Sequence, residues 1–140
     1  MVKHLATWES IYLGEVFGRP YPEQLYVPDR PGADLWVAAE ETRQDIIDRY
    51  QRVAGHAAAT IDALDIDAVG RVPWWPRPNV ALINILIHLI SETARHAGHA
   101  DILREQLEGT TTTPDHDTAF WADRHATIEQ TARDAASRYE

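Results

Sequence analysis

Three side chains that can bind a metal ion follow a long apolar segment at intervals of four residues. The segment covers residues 80–90, and His88, Glu92 and His96 lie at and beyond its end. On a helix this spacing stacks the three side chains on one face over successive turns. Imidazoles and a carboxylate are costly to bury beside so many apolar residues unless a charged partner, often a metal, lies among them. The pattern therefore indicates a metal site.

Helix geometry limits which of these side chains can share one ion. His88 and His96 are about 12 Å apart along a helix axis, which is too far for a single metal. Side chains three or four residues apart can converge on one ion. The spacing leaves three pairs open, namely His88 with Glu92, Glu92 with His96, and His96 with His99. Each pair is an incomplete site, so at least one further ligand has to come from another helix.

Length, charge and cysteine content restrict the class of protein. The chain has 140 residues, a net charge of −9 and no cysteine. The length predicts one domain spanning 1–140, and the lack of cysteine fits a reducing compartment. The acidic charge argues against nucleic acid as a partner. The apolar segment is too short to cross a membrane and no signal peptide precedes it, so we predict a cytoplasmic protein without a membrane partner.

Apolar periodicity predicts helices throughout and no strand. The predicted helices cover about 2–17, 35–64, 79–108 and 117–139. Four prolines between Arg19 and Gly32 indicate a long crossover after the first helix. The loop 65–78 carries Trp74 and Trp75, which we expect either to form a wall of the site or to cap the core. The predicted fold class is all-α, an up-down-down-up bundle with a long Pro-rich crossover and a C-terminal helix.

Two sequence blocks resemble the DinB-like superfamily, and most of all its mycothiol-dependent S-transferase branch. Residues 88–105, HLISETARHAGHADILRE, resemble the signature helix of that superfamily. The segment Val2–Leu5, which leads into Trp8 and Glu9, resembles the part that carries its first metal ligand. The blocks occur in the expected order with the expected crossover between them, so the resemblance covers nearly the whole chain.

The resemblance implies a ligand set and an activity. In this superfamily one early histidine and a later H/E-x-x-x-H pair bind a divalent metal, which here implies His4, Glu92 and His96. Such a set leaves one coordination position open, as in catalytic zinc sites. Zinc is the expected metal, with nickel, iron or manganese as further candidates. The implied function is transfer of a low-molecular-weight thiol, with mycothiol as co-substrate, to an electrophilic small molecule. A metal-dependent hydrolase of the same fold and a non-catalytic metal-binding protein are the alternatives.

Other residues near these ligands are candidates for supporting roles. His88 is a candidate to orient Glu92, or it is a hydrogen-bonded histidine of the core. Arg95 could meet a carboxylate of the thiol, or it is a surface arginine. His99 could orient a ligand or bind substrate.

The start of the chain departs from the family pattern. Members of the superfamily usually have another helix before the segment that corresponds to Val2–Leu5, and here Met1 stands three residues before His4. Either the start is assigned late, or the bundle lacks one wall. A missing wall would leave apolar surface uncovered, which predicts a homodimer that covers it, or poor solubility.

Overall fold

The structure, a computed structural model of the protein, describes residues 1–109 and 117–137. Its elements in chain order are helix α1 (Val2–Tyr12), two 3₁₀ helices (Glu15–Phe17 and Ala33–Leu35), helix α2 (Arg43–Ala63), strands β1 (Val69–Arg71) and β2 (Asn79–Ala81), helix α3 (Leu82–Glu108) and helix α4 (Thr118–Ala136). The chain divides into two compact units, Met1–Gly98 and His99–Glu140. The predicted end of the last helix near residue 139 lies outside the described residues.

Helix α1 is shorter than the predicted 2–17. It ends at Tyr12, and the chain continues into the 3₁₀ helix Glu15–Phe17. Gly18 closes this turn at a φ of 67°, a left-handed conformation that favours glycine. The inward side chains of α1 and of the 3₁₀ helix Glu15–Phe17 pack in the core with side chains of α2 and α3. The largest fully buried side chains include Leu82, Ile85 and Val72.

Helix α2 begins eight residues later than predicted, at Arg43 instead of 35. The reason is a capping box: the Thr42 hydroxyl accepts a hydrogen bond from the Asp45 backbone N–H, and the Asp45 carboxylate accepts one from the Thr42 N–H. These bonds satisfy backbone donors at the first turn and set the start of the helix. The residues before Thr42 belong to the crossover, which contains the 3₁₀ helix Ala33–Leu35.

The prediction that the chain has no strand is wrong for the segment before α3. Strands β1 and β2 form an antiparallel hairpin in which Gly70 pairs with Val80. A Cβ at Gly70 would meet Val16 Cγ1 at 2.7 Å and Phe17 Cε1 at 2.8 Å. The hairpin therefore packs tightly on the 3₁₀ helix Glu15–Phe17. Helix α3 therefore begins at Leu82 and not at 79.

So continuous an apolar segment as 80–90 predicts a helix that is buried on most of its faces, and this prediction is also wrong. Leu82 and Ile85 are fully buried, whereas Ile83, Ile87 and Ile90 are 42%, 55% and 69% exposed. These three residues lie three or four apart and so share one face of α3. We call them the outer stripe of α3.

Helix α4 begins as predicted, because the Asp117 carboxylate accepts a hydrogen bond from the Phe120 N–H. Four α-helices and one short hairpin in the described residues confirm the all-α class and are consistent with a DinB-like bundle. Among residues 1–109 and 117–137, no helix is long and apolar enough to cross a membrane.

Candidate functional site

A cavity of about 730 Å³ lies in the first unit between α1, α2 and α3. Most of its lining side chains are apolar. The side chains in it that can ionise are His4 and Glu9 from α1, Tyr50 from α2, Tyr12 from α1, and His88, Glu92 and His96 from α3. All three residues of the implied ligand set, His4, Glu92 and His96, therefore line one cavity.

Two imidazoles from separate helices meet in this cavity. The ring centroids of His4 and His96 are 4.8 Å apart, and the ring planes are inclined at 67°. His4 Nδ1 lies 2.6 Å from Oδ2 of Asp34. A carboxylate accepts hydrogen bonds and does not donate them, so His4 Nδ1 is the donor of this bond, and in a neutral ring the lone pair is then on Nε2. The histidine near the start of α1 is thus close to the histidine of the signature helix.

Glu92 lines the same cavity and is turned towards Arg95. An Arg95 guanidinium nitrogen lies 2.9 Å from a Glu92 carboxylate oxygen, and the two side chains are 59% and 28% exposed, respectively. In the part of the chain that the structure describes, no three histidine, aspartate or glutamate side chains are arranged to hold one metal ion. The ligand set of His4, Glu92 and His96 therefore stays a prediction.

His88 packs between two aromatic rings. Its ring centroid is 4.9 Å from that of Tyr12 and 5.0 Å from that of Trp75. Over residues 1–109 and 117–137 no hydrogen bond joins His88 to Glu92. His88 is half-buried and also lines the cavity, so its role at the site stays a prediction.

The tryptophan pair lies in the β1–β2 hairpin, behind residues that line the cavity. Trp74 contacts Trp8 and Tyr12 at centroid distances of 6.3 and 6.0 Å, and Trp75 contacts Tyr12 at 5.8 Å. Trp75 packs against the core, and Trp74 is half-exposed. The pair supports the aromatic side chains of α1 that face the cavity. His99 lies outside the first unit and is exposed.

Asp34 is a site residue that the sequence interpretation did not find. It is only 8% exposed and accepts hydrogen bonds from two rings of α1, those of His4 and Trp8. Its position in a Pro-rich crossover resembles that of an ordinary turn residue. An aspartate directly after a Pro-Gly-Ala turn gives no periodic signal, so sequence spacing alone could not have identified it.

Glu9 and Tyr50 are also cavity residues that the sequence interpretation did not assign. Burial raises the pKa of the Glu9 carboxyl, and burial together with the nearby Glu9 charge raises the pKa of the Tyr50 hydroxyl. A signal for Glu9 was present in the sequence: it lies within the inward helical stripe formed by Leu5, Trp8 and Tyr12. An acid in such a stripe faces the interior.

Comparison with known proteins identifies a family for this chain. No curated protein and no solved structure matches the chain significantly. Residues 1–109 match the model of the family described as mycothiol S-transferase, MST, and these residues include every member of the implied ligand set. Since the match covers well over half of its length, the chain belongs to the mycothiol S-transferase family.

Proposed function

We propose that this protein is a metal-dependent transferase that adds mycothiol to an electrophilic small molecule. Membership of the mycothiol S-transferase family supports the thiol transfer. The metal dependence is supported by the contact between the His4 and His96 rings, which lie at a cavity that Glu92 also lines.

The proposed donor set suits a divalent cation. Two imidazole nitrogens and one carboxylate oxygen are the protein ligands of many catalytic zinc sites, and they leave a position for a further ligand. Nickel, iron and manganese also accept such donors, so zinc is the first choice and not the only one. The Glu92–Arg95 pair is partly exposed, and ion pairs of that kind contribute about 0–1 kcal/mol. Glu92 can therefore exchange Arg95 for a metal at small cost.

The proposed reaction needs a thiolate and a dry pocket. His4, Glu92 and His96 would hold the divalent metal, which would supply stabilisation of the thiolate form of a bound thiol near neutral pH. Asp34 holds the His4 ring, and apolar lining side chains such as Leu5, Leu86 and Leu89 keep water from the reacting atoms. The thiol proton passes to solvent, the sulfur forms a bond to the electrophilic carbon, and the leaving group departs with the electrons of its own bond.

We also propose that the protein lies in the cytoplasm and forms a homodimer. A thiol co-substrate has to stay reduced, which favours the cytoplasm. The outer stripe of α3 exposes three isoleucines, and a homodimer that covers them would remove this apolar surface from water.

A bimane conjugation assay tests the proposal. Untagged protein is incubated with mycothiol and monochlorobimane, first with a chelator and then with added zinc. We expect a mycothiol–bimane conjugate to form above the background rate with zinc, to be lost with the chelator, and to be lost in His96→Ala. His125→Ala is the matched control, because this exposed histidine lies on α4 outside the cavity.

The outcomes distinguish the alternatives. No conjugation above background with zinc, nickel, iron or manganese contradicts the transferase. Metal-dependent turnover of an ester or amide without any thiol would indicate a hydrolase instead. Stoichiometric metal without thiol affinity or turnover would indicate a non-catalytic metal-binding protein.

A further inference from the structure

One buried carboxylate oxygen joins two aromatic rings of α1. Oδ2 of Asp34 accepts a hydrogen bond from His4 Nδ1 at 2.6 Å and another from Trp8 Nε1 at 3.2 Å. His4 and Trp8 are four residues apart, so their side chains lie one above the other on the same helix face. The same oxygen therefore fixes both rings from a segment that lies outside α1.

The crossover that carries Asp34 is itself tied to α1. Lys3 Nζ donates hydrogen bonds to the Trp36 carbonyl oxygen at 3.1 Å and to a Glu41 carboxylate oxygen at 2.6 Å. Lys3 precedes His4 in the chain, so the two neighbours in α1 bind the crossover at two places, on either side of Leu35. This arrangement restricts the movement of Asp34 relative to the His4 ring.

We propose that Asp34 is a positioning residue that holds His4 in the Nδ1–H tautomer and aims Nε2 into the cavity. In a neutral imidazole one nitrogen is a donor and the other an acceptor, and the hydrogen bond at the first sets the role of the second. With Nδ1–H bound to Asp34, the lone pair that can coordinate a cation is on Nε2. Carboxylates bound in this way to a histidine ligand strengthen metal binding by orienting the ring and increasing its basicity.

Trp8 contributes to the same arrangement. Its indole N–H can only donate, and its partner is the oxygen that His4 also uses. Removal of this second bond leaves Asp34 with one restraint fewer but does not remove the acceptor for His4. Trp8→Phe should therefore have a smaller effect than loss of the carboxylate itself.

The assignment of Nε2 to a metal rests on the proposed function, whereas the tautomer does not. Long-range ¹H–¹⁵N NMR of the metal-free protein at a pH where imidazoles are neutral reports which His4 nitrogen carries the proton. We expect the Nδ1–H form in the wild type and a shift towards the Nε2–H form in Asp34→Ala. Asp29→Asn, an exposed aspartate of the same crossover, should leave the His4 signals unchanged.

Zinc affinity, measured by competition with a chromophoric chelator, is the second measurement. We expect Asp34→Asn to weaken zinc binding by about 10–100-fold, Trp8→Phe by a smaller factor, and Asp29→Asn not at all. Circular dichroism shows whether each variant is folded, and Trp8→Phe serves if Asp34→Asn does not fold.

The two measurements separate the failure of this inference from that of the proposed function. A wild-type protein that binds none of the tested divalent metals overturns the metal site. The NMR measurement of the His4 tautomer still tests the positioning role of Asp34 in that case. Unchanged His4 signals in Asp34→Ala, or zinc affinity in a folded Asp34→Asn equal to that of the wild type, overturn the positioning role.

Discussion

At the scale of single residues, Glu92 determines whether the proposed ligand set has two members or three. It is ion-paired with Arg95 across one turn of α3, and both side chains are partly exposed. Because such a pair is weak, Arg95→Ala should change zinc affinity by no more than about fivefold. Glu92→Gln removes the charged oxygen donor and should weaken zinc binding by more than about tenfold. Chelator competition measures both variants, and equal affinities for wild type and Glu92→Gln would exclude Glu92 as a ligand.

Glu9 provides a prediction for the dependence of stability on pH. Burial raises its folded-state pKa above the unfolded value of 4.5, so folding favours the protonated form. The charged carboxylate therefore costs stability, and this cost appears as the pH rises through the unfolded pKa towards the folded one. Glu9→Gln should raise the free energy of unfolding at about pH 7 and change it little at about pH 4. Urea unfolding at both pH values measures this difference, and a variant less stable than wild type at neutral pH would contradict it.

Some residues of the site can be predicted from the sequence, and others cannot. The family pattern implied His4, Glu92 and His96, and all three line one cavity. Asp34 was missed because its role comes from a long-range contact, in which a residue of the crossover meets one thirty positions earlier in the chain. Spacing within one helix cannot predict a contact of that kind, whereas it could have predicted the inward position of Glu9.

At the scale of elements, the β1–β2 hairpin depends on one close approach. A Cβ at Gly70 would lie 2.9 Å or less from atoms of Val16 and Phe17. Gly70→Ala should therefore lower the free energy of unfolding by about 1–3 kcal/mol, since the neighbours have to move. Gly55→Ala is the control, because a Cβ there meets nothing within 4 Å and alanine favours the interior of α2 by about 0.5–1 kcal/mol. Thermal unfolding should show opposite signs for the two variants, and equal signs would contradict the packing.

The crossover is held to α1 and α2 by the charge of Glu41. Hydrogen bonds from Lys3, the Ala38 N–H and Arg49 lower the pKa of Glu41 to about 2. The stabilisation is therefore complete above the unfolded pKa of 4.5 and is lost as the pH falls towards 2. Glu41→Gln should reduce the free energy of unfolding at neutral pH by on the order of 1 kcal/mol, because solvent screens part of the interaction.

Urea unfolding across this pH range tests the role of Glu41. The difference between wild type and Glu41→Gln should shrink between the two pKa values. Glu40→Gln, a change at the exposed neighbouring residue, should have little effect at any pH. A Glu41 effect that does not depend on pH would contradict the ion-pair account.

The elements were predicted best where a local signal marks their ends. Asp117 caps α4 where the sequence predicts this helix to begin, and α3 ends at Glu108 before Gly109, whose φ is 66°. The predicted start of α2 is too early because apolar periodicity continues into the crossover, whereas the Thr42 capping box sets the start of the helix. The hairpin was missed because its strands have three residues each and stand among prolines, which leaves too short a pattern to detect.

At the scale of the whole molecule, the outer stripe of α3 is the feature that assembly has to account for. Ile83, Ile87 and Ile90 are exposed on one helix face. If a homodimer covers this face, Ile87→Glu places a charge in the interface and should weaken dimerisation at least tenfold. Light scattering measures the mass, with Ile128→Glu on the exposed surface of α4 as the control. A monomeric wild type at micromolar concentration would contradict the homodimer.

Fold class and family are established for this chain, whereas other properties of the whole molecule are not. The all-α class and the family are established by the helices and by the match over residues 1–109. A single domain over 1–140, the cytoplasm, zinc and the homodimer stay predictions. Composition and periodicity predict which side chains are buried within one chain. Burial within one chain does not determine the number of domains, the compartment, the metal or the assembly.

Anomalous diffraction at the zinc edge, from crystals grown with zinc, shows whether His4, Glu92 and His96 bind one metal ion. We expect one strong peak in the cavity, with His4 Nε2, a His96 ring nitrogen and a Glu92 carboxylate oxygen about 2.0–2.2 Å away. The Glu92–Arg95 ion pair should be broken in that structure. A zinc-free cavity, or a peak that His4 or His96 does not coordinate, would contradict the claim that imidazoles from α1 and α3 hold one metal ion.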